Sequence, residues 1–294
     1  MRTYLTVADA AYLPRLKVLH ASMLRHCGDF LLYVLPWDET VRVWLWSQGS
    51  NRVMSWDHRK IDEWQTEPLP GPPRTLHERM WSSRAAATAA LLRTGEADSV
   101  LQLDADLCFF GSPEAALRVV EDAGAPAGLM PHYFAPASDG LPGITEESHG
   151  KYGRFNSGTV FVRSAALAQR WADETRAWCY FHLDEQGRFA DQPNLQEWPA
   201  LGAVEFPPWF APGPWTKYKW AVHECECGEC GKVTMVGQPL VAWHFSSLRL
   251  APDGELLQLA NAEYAVYAAK QGLIYGVYEP YIRELRSAMG IAVD

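Results

Sequence analysis

The stretch Ser99–Phe110, SVLQLDADLCFF, constrains the chain more than any other. Val100, Leu101 and Leu103 form an apolar run that ends in Asp104 and Asp106, after which Leu107, Cys108, Phe109 and Phe110 are again apolar. A strand buried on both faces reads as such a run, and parallel sheets of this kind are covered by helices in α/β domains. Ligands in those domains sit beyond the carboxyl ends of the strands, where the two aspartates fall. Two carboxylates are costly to desolvate unpaired. A hard divalent cation that also carries phosphate oxygens removes that cost. The competing reading of a bare D-x-D is a capped turn, and spacing alone does not separate the two.

The flanking segments agree with an α/β class. Thr3–Val7 reads as a strand with Asp9 at its carboxyl end, and Leu13, Leu16, Leu19 and Met23 give Tyr12–Cys27 a helical spacing. Phe30–Leu35 is a second strand, which makes a right-handed β-α-β opening. Val41–Ser47 and Arg52–Trp56 read equally as strand or short helix. Thr75 and Glu78 have the capping-box spacing and open an Ala-rich helix that runs to Arg93 and stops at Gly95. Ser112 as N-cap and Pro113 as first residue start a helix to about Glu121. Gly128–Pro131 is a strand, and Tyr133–Phe155 is aperiodic and too long for a structureless connection without a functional role. Asn156 precedes a strand over Ser157–Val162. Ala165–His182 is an amphipathic helix, and Asp191–Trp198 a short one with Asp191 as its N-cap. Val204–Phe206 is a strand, Leu240–Trp243 a last strand delivering His244, and Tyr264–Lys270 and Tyr278–Met289 are helical. The expected fold is α/β, with a mostly parallel central sheet flanked by helices.

Composition narrows the function. A formal net charge of −9 on 294 residues argues against a nucleic-acid partner, which calls for a basic face. The N-terminal MRTYLTVADA has no signal-peptide core, and no apolar run reaches the length of a membrane span. The expectation is a cytoplasmic protein without a transmembrane segment, with peripheral membrane contact left open. Thirteen tryptophans hint at carbohydrate, whose faces stack on amphipathic rings, although aromatics serve equally as core. Cys27, Cys108 and Cys179 read as buried thiols of a reducing compartment. His223, Cys225, Cys227 and Cys230, between two β-like runs, are candidate ligands of a structural Zn²⁺ at a hairpin tip. The C-x-C step is atypical and no second C-x₂-C exists, so free surface thiols are the alternative.

Taken in order, the first strand with Thr6 and Asp9, LQLDADLCFF, FNSGTVFVR, ADQPNLQEW and PLVAWHFSSL make the chain resemble GT-A nucleotide-sugar glycosyltransferases. The pattern is most similar to bacterial enzymes of the glycogenin and lipopolysaccharide galactosyltransferase family. The resemblance implies a Rossmann-like nucleotide-diphospho-sugar transferase fold in a single domain over 1–294. Within it, 1–110 would form the nucleotide-binding half, 111–250 the acceptor and metal half, and 251–294 the C-terminal helices. It implies a Mn²⁺ or Mg²⁺ cofactor held by Asp104, Asp106 and His244, with imidazole suiting Mn²⁺ better than Mg²⁺. It places donor contacts at Thr6, Val7, Asp9, Arg84, Asp104, Ala105, Asn156 and Gly158, with Arg84 near the donor phosphates, and catalytic roles at Asp191 and Gln192.

The implied activity is transfer of a sugar from a nucleotide-sugar donor, UDP-sugar favoured, to a hydroxyl acceptor such as a glycan, a lipid-linked sugar or a small molecule. No obvious general base is visible, which favours a retaining reaction. Tyr133–Phe155 and Pro207–Trp220 are the expected acceptor walls. Each residue also has a plainer reading: a core histidine for His244, a solvated helix face for Arg79 and Arg84, a helix cap for Asp191. After His244 the chain departs from the family, which has a Gly and a Lys there. Phe245-Ser246-Ser247-Leu248-Arg249 follows instead, with Arg249 the candidate replacement for the lysine. Two rival readings compete with it. A sugar nucleotidyltransferase would carry a Gly-rich loop after its first strand, and ADAAYLPRL has no glycine. A non-catalytic carbohydrate-binding protein of the same fold would have little use for an intact Asp/Asp/His set.

Overall fold

The computed structural model describes residues 1–56, 71–134, 152–182, 189–216, 222–224, 233–260 and 274–292, with the backbone alone for 222–224 and 274–275. Its sequence of elements opens with β1 (Arg2–Ala8), α1 (Leu13–His26), β2 (Phe30–Pro36), α2 (Glu39–Ser47) and β3 (Val53–Ser55). The two ambiguous segments thus resolve into a helix and a strand. Asp38 decides the first, because its carboxylate caps the helix by accepting from Val41 N at 3.0 Å. Next come α3 (Leu76–Arg93), β4 (Val100–Leu103), β5 (Leu107–Phe109), α4 (Glu114–Asp122), β6 (Ala127–Pro131), β7 (Phe155–Val162) and α5 (Ala165–Ala177). The remainder comprises β8 (Val204–Glu205), β9 (Val222–Glu224), β10 (Val233–Met235), β11 (Gln238–Pro239), β12 (Ala242–His244), β13 (Arg249–Leu250), β14 (Leu256–Gln258) and α6 (Glu279–Ala288).

Seven strands form the central sheet in the order β3-β2-β1-β4-β7-β6-β8. All run parallel except β7, which is antiparallel to both neighbours. Alternate residues feed two cores. Tyr4, Leu32, Val34, Leu101 and Leu103 pack towards α1 and α4 on one face. Leu5, Leu31, Leu35, Val100 and Val160 pack towards α3 and α5 on the other. The alanines of α3 at 85–87, 89 and 90 are buried there, and their small side chains let the helix lie close to the sheet. Its N-terminus carries the expected capping box, with Thr75 N donating to Glu78 Oε2 at 2.7 Å and Glu78 N donating to Thr75 Oγ1 at 3.3 Å.

Three boundaries differ from the sequence reading. The α5 helix stops at Ala177, with Trp178 extended, and does not reach His182. Tertiary hydrogen bonds draw the chain away: Phe181 N donates to Glu78 Oε1 at 2.7 Å and Tyr180 Oη to Pro72 O at 3.0 Å. The segment Asp191–Trp198 is two 3₁₀ turns, Gln192–Leu195 and Trp198–Leu201, each with a proline in its first turn. The helix after Gly111 begins at Glu114, with Ser112 Oγ accepting from Glu114 N at 3.4 Å and Pro113 in the cap position.

The β9–β10 pair is antiparallel, as a hairpin requires, but Cys225, Cys227 and Cys230 lie outside the described residues, as do the side chain of His223 and the segment Tyr264–Lys270. No helix among the described residues is long and apolar enough to cross a membrane.

Candidate active site

Topology gathers the site at one sheet edge. Strands β1, β4 and β6 run the same way, so Val7, Asp104 and His132 lie at or just beyond their carboxyl ends. Because β7 is reversed, its beginning reaches that same edge with Asn156, Ser157 and Gly158. The β6–β7 register shifts between Leu129 and Met130, which oppose Val160 and Asn156. The bulge over 157–159 re-aims this segment, a usual device beside functional sites. His244 arrives by a different route: β12 pairs antiparallel with β5, setting His244 opposite Leu107, and Phe245 N donates to Asp106 O at 2.9 Å. Backbone ladders thus bring together groups far apart in sequence.

Asp104, Asp106 and His244 each offer one ligand atom within 4.8 Å of the others. His244 Nε2 lies 3.0 Å from Asp106 Oδ1 and 3.7 Å from Asp104 Oδ2. Behind them is a buried guanidinium. Arg84 forms a fork with Asp191, Nε to Oδ2 at 3.0 Å and Nη2 to Oδ1 at 2.9 Å, and a further contact joins its Nη1 to Asp104 Oδ1. Ser157 Oγ receives from Arg84 Nη2 at 2.7 Å and donates to Asp191 Oδ1 at 2.8 Å.

Three carboxylates against one guanidinium leave a net charge of −2 when His244 is neutral, which one divalent cation cancels. Gly158 keeps the space clear, since a Cβ there would lie 2.6 Å from both Asp104 Oδ2 and His244 Cε1. The donor set, charge and space therefore fit a hard divalent cation.

Electrostatics differ within the set. About a third of the Asp104 side chain reaches the cavity, yet loss of bulk solvent still pushes its carboxyl up, with Arg84 opposing. Burial also works against the Asp106 charge, but His244 alongside outweighs it and holds that carboxyl below the usual range. For His244, desolvation opposes protonation, and the Asp106 charge overrides it to raise the imidazole. Asp106 likewise pushes the Tyr12 hydroxyl up, which keeps it a neutral O–H donor.

These groups open into a cavity of about 720 Å³. Val7, Ala105, Asn156, Gly158, Asp191 and Gln192 line it, as the sequence reading requires of contact residues. Thr6 and Asp9 do not. Thr6 is fully buried, and Asp9 Oδ1 accepts from Tyr12 N at 3.0 Å to fix the turn into α1. Asp191 is no helix cap: its carboxylate makes no capping bond and serves Arg84 and Ser157. Arg249 is exposed on β13 and does not line the cavity. Of the expected acceptor walls, Phe134, Tyr152, Pro214 and Trp215 do line it, while 135–151 and 217–220 lie outside the described residues.

Ser157, Tyr12, His132 and the serines 246 and 247 were not assigned from sequence. His132 had a readable signal, a polar residue at the carboxyl end of an apolar strand just as Asp104 is. At the far end of the cavity rings run in succession: Trp81–Phe181 at 5.2 Å between centroids, Phe181–Phe189 at 4.8 Å and Phe189–Tyr152 at 5.7 Å.

No family model matches the chain. It is 23% identical to YfnD of Bacillus subtilis (strain 168), an uncharacterized protein, across 96% of this chain and 88% of that one. Among solved structures it superposes on an active-site mutant of LgtC with a TM-score of 0.52 and 15% identity, over 99% of this chain and 98% of the other. Mouse xyloside xylosyltransferase 1 in its apo form gives a TM-score of 0.50 and 14% identity, over 83% and 96%. The fold is the GT-A fold of glycosyltransferases.

Proposed function

We propose that the protein is a metal-dependent glycosyltransferase that takes a sugar from a nucleoside-diphosphate sugar, UDP-sugar favoured, and passes it to a hydroxyl of a carbohydrate or similar acceptor. The observation that carries this reading is the Asp104/Asp106/His244 set facing a large cavity at the carboxyl edge of a GT-A sheet. A Mn²⁺ or Mg²⁺ ion held there would neutralise charge on the departing nucleoside diphosphate without a proton donor. Tyr12, Ser246 and Ser247, which line the same cavity, offer hydroxyl donors for phosphate oxygens where the family's lysine is missing.

Arg84 orients Asp104 and Asp191 together, so the metal end and the sugar contact share one rigid support. Gln192 also lines the cavity, and among the described residues its side chain is not drawn into the Arg84 network. We read it as the group facing the reacting carbon. The three carboxylates lining the described cavity are committed to Arg84 or His244, and we read the reaction as retaining. Trp81, Phe181 and Phe189 form an apolar face suited to an acceptor sugar. Cys27, Cys108 and Cys179 are free and buried, which supports a reducing compartment.

The test is thermal stability with Mn²⁺, with UDP, and with both. Shared coordination makes the joint shift exceed the sum of the separate shifts. Additive shifts, or none, would remove the shared site and the reading with it.

A further inference from the structure

His132 follows β6, is 4% exposed, and lines the cavity beside Asn156. Its ring is held on two sides, stacked on Phe134 at 4.6 Å and 3° and met edge-on by Trp215 at 5.3 Å. The same Trp215 ring meets His244 edge-on at 5.3 Å, so one indole braces both histidines.

The polar atoms form a chain whose direction is fixed at both ends. His132 Nδ1 lies 3.0 Å from Gly153 O, and a carbonyl only accepts, so Nδ1 carries the proton. In the neutral ring Nε2 is then a bare acceptor. It lies 3.3 Å from Asn156 Nδ2, while Asn156 Oδ1 accepts from Gly158 N at 2.8 Å. Backbone groups terminate the chain at each end, and neither can exchange donor for acceptor. Reversing the Asn156 amide would set its oxygen against Nε2 and its NH₂ against the Gly158 N–H, breaking two buried hydrogen bonds.

We propose that His132 is a positioning residue that locks the orientation of the Asn156 amide: one amide proton is spent on Nε2, Oδ1 is engaged by Gly158 N, and the other proton is what Asn156 offers the cavity. The partner it selects is an oxygen lone pair of the donor sugar, so this inference rests on the glycosyltransferase reading. An Asn156 free to turn would present oxygen and NH₂ alike and would discriminate less between sugar stereoisomers. Neighbouring Gly158 is part of the device, because a Cβ there would lie 2.7 Å from Asn156 Oδ1.

The first measurement needs no substrate. Long-range ¹H–¹⁵N correlation of the wild-type histidine rings at pH 7 should show His132 as the neutral Nδ1–H tautomer; the Nε2–H tautomer or an imidazolium would overturn the proposal. The second compares UDP-glucose with UDP, both with Mn²⁺, by calorimetry. His132→Phe keeps the ring stack but removes the acceptor nitrogen. It should weaken UDP-glucose by on the order of tenfold, the scale of one hydrogen bond, and leave UDP within about twofold. His132→Gln, whose Oε1 can replace Nε2, should recover most of that loss. Equal weakening of both ligands, or no recovery with Gln, would reduce His132 to a packing residue. If wild-type protein binds neither nucleotide, the functional reading falls, and the tautomer alone decides this one.

Discussion

At one end of the cavity Asp104, Asp106, Asp191, Arg84 and His244 face one another out of bulk water; at the other, Trp81, Phe181, Phe189 and Tyr152 stand as a run of half-buried or exposed rings. Arg84 and Asp191 are 4% and 1% exposed, whereas Phe181 is 62% exposed. The contrast separates two ways of building a site. Charges out of water have a defined geometry only when every partner is present, and losing one leaves the rest uncompensated. Rings on a rim lose little when one is removed, because water already reaches them. Ala190, at φ 56°, sits where the two ends meet and presents Asp191, a strained backbone of the kind held at functional sites.

The largest expected break is at the end that holds the candidate metal ligands. Asp106→Ala should lower transfer by roughly 10³-fold, since charge stabilisation by the ion accounts for several kcal/mol. It should also abolish the joint stabilisation by Mn²⁺ and UDP. Retention of that joint shift would show that Asp106 is no ligand. Next comes the support behind it. Arg84→Met leaves Asp104 and Asp191 facing each other with no cation, and urea unfolding at pH 7 should register a loss of about 3–5 kcal/mol. Asp191→Asn should cost less, because Arg84 keeps Asp104. Equal losses in the two variants would mean that the fork with Asp191 carries the whole contribution and that the Asp104 contact adds nothing.

At the aromatic end the scale shrinks. Phe181→Ala should leave stability within about 0.5 kcal/mol. It should raise the KM of a glycoside acceptor by about tenfold, while the affinity for UDP moves less than twofold. A matching fall in UDP affinity would merge the two ends into one. The smallest effect concerns Glu78, which ties the aromatic wall to α3 through Phe181 N. Burial opposes its charge, but hydrogen bonds from Phe181 N and Thr75 outweigh that and hold its carboxyl below the usual range. A depressed carboxyl stabilises the fold above the unfolded value of about 4.3 and loses that contribution as pH falls through the folded value. The melting-temperature gap between wild type and Glu78→Gln should correspond to about 1 kcal/mol at pH 7 and close as pH falls through the folded value. A gap constant across that range would assign it to shape instead of charge.

The candidate site was legible where chemistry and local pattern coincide. Asp104 and Asp106 close an apolar run, and Thr75 with Glu78 forms its capping box within four residues. The plainer reading of Asp191, as a helix cap, failed for a physical reason. A carboxylate ahead of a helical turn has the same local signature whether it caps that turn or pairs with a buried guanidinium, and Arg84 lies on another helix. The same limit hid Ser157, whose hydroxyl matters only because Arg84 and Asp191 converge on it.

By itself the sequence determined the alternation of strands and helices, the placing of two carboxylates at a strand's carboxyl end and the delivery of a histidine by a late strand. Period, caps and apolar runs act within a few residues, so they can be read without knowing what packs against them. Tertiary structure alone decided that β7 runs backwards and brings Asn156, Ser157 and Gly158 to the site, and that α5 yields its last turn to hydrogen bonds donated to Glu78 and Pro72. It also decided that Arg84 binds protein carboxylates in this structure, where a donor phosphate was expected. Strand direction and ion pairing depend on groups tens of residues away, and a buried charge takes whichever partner the fold brings within reach.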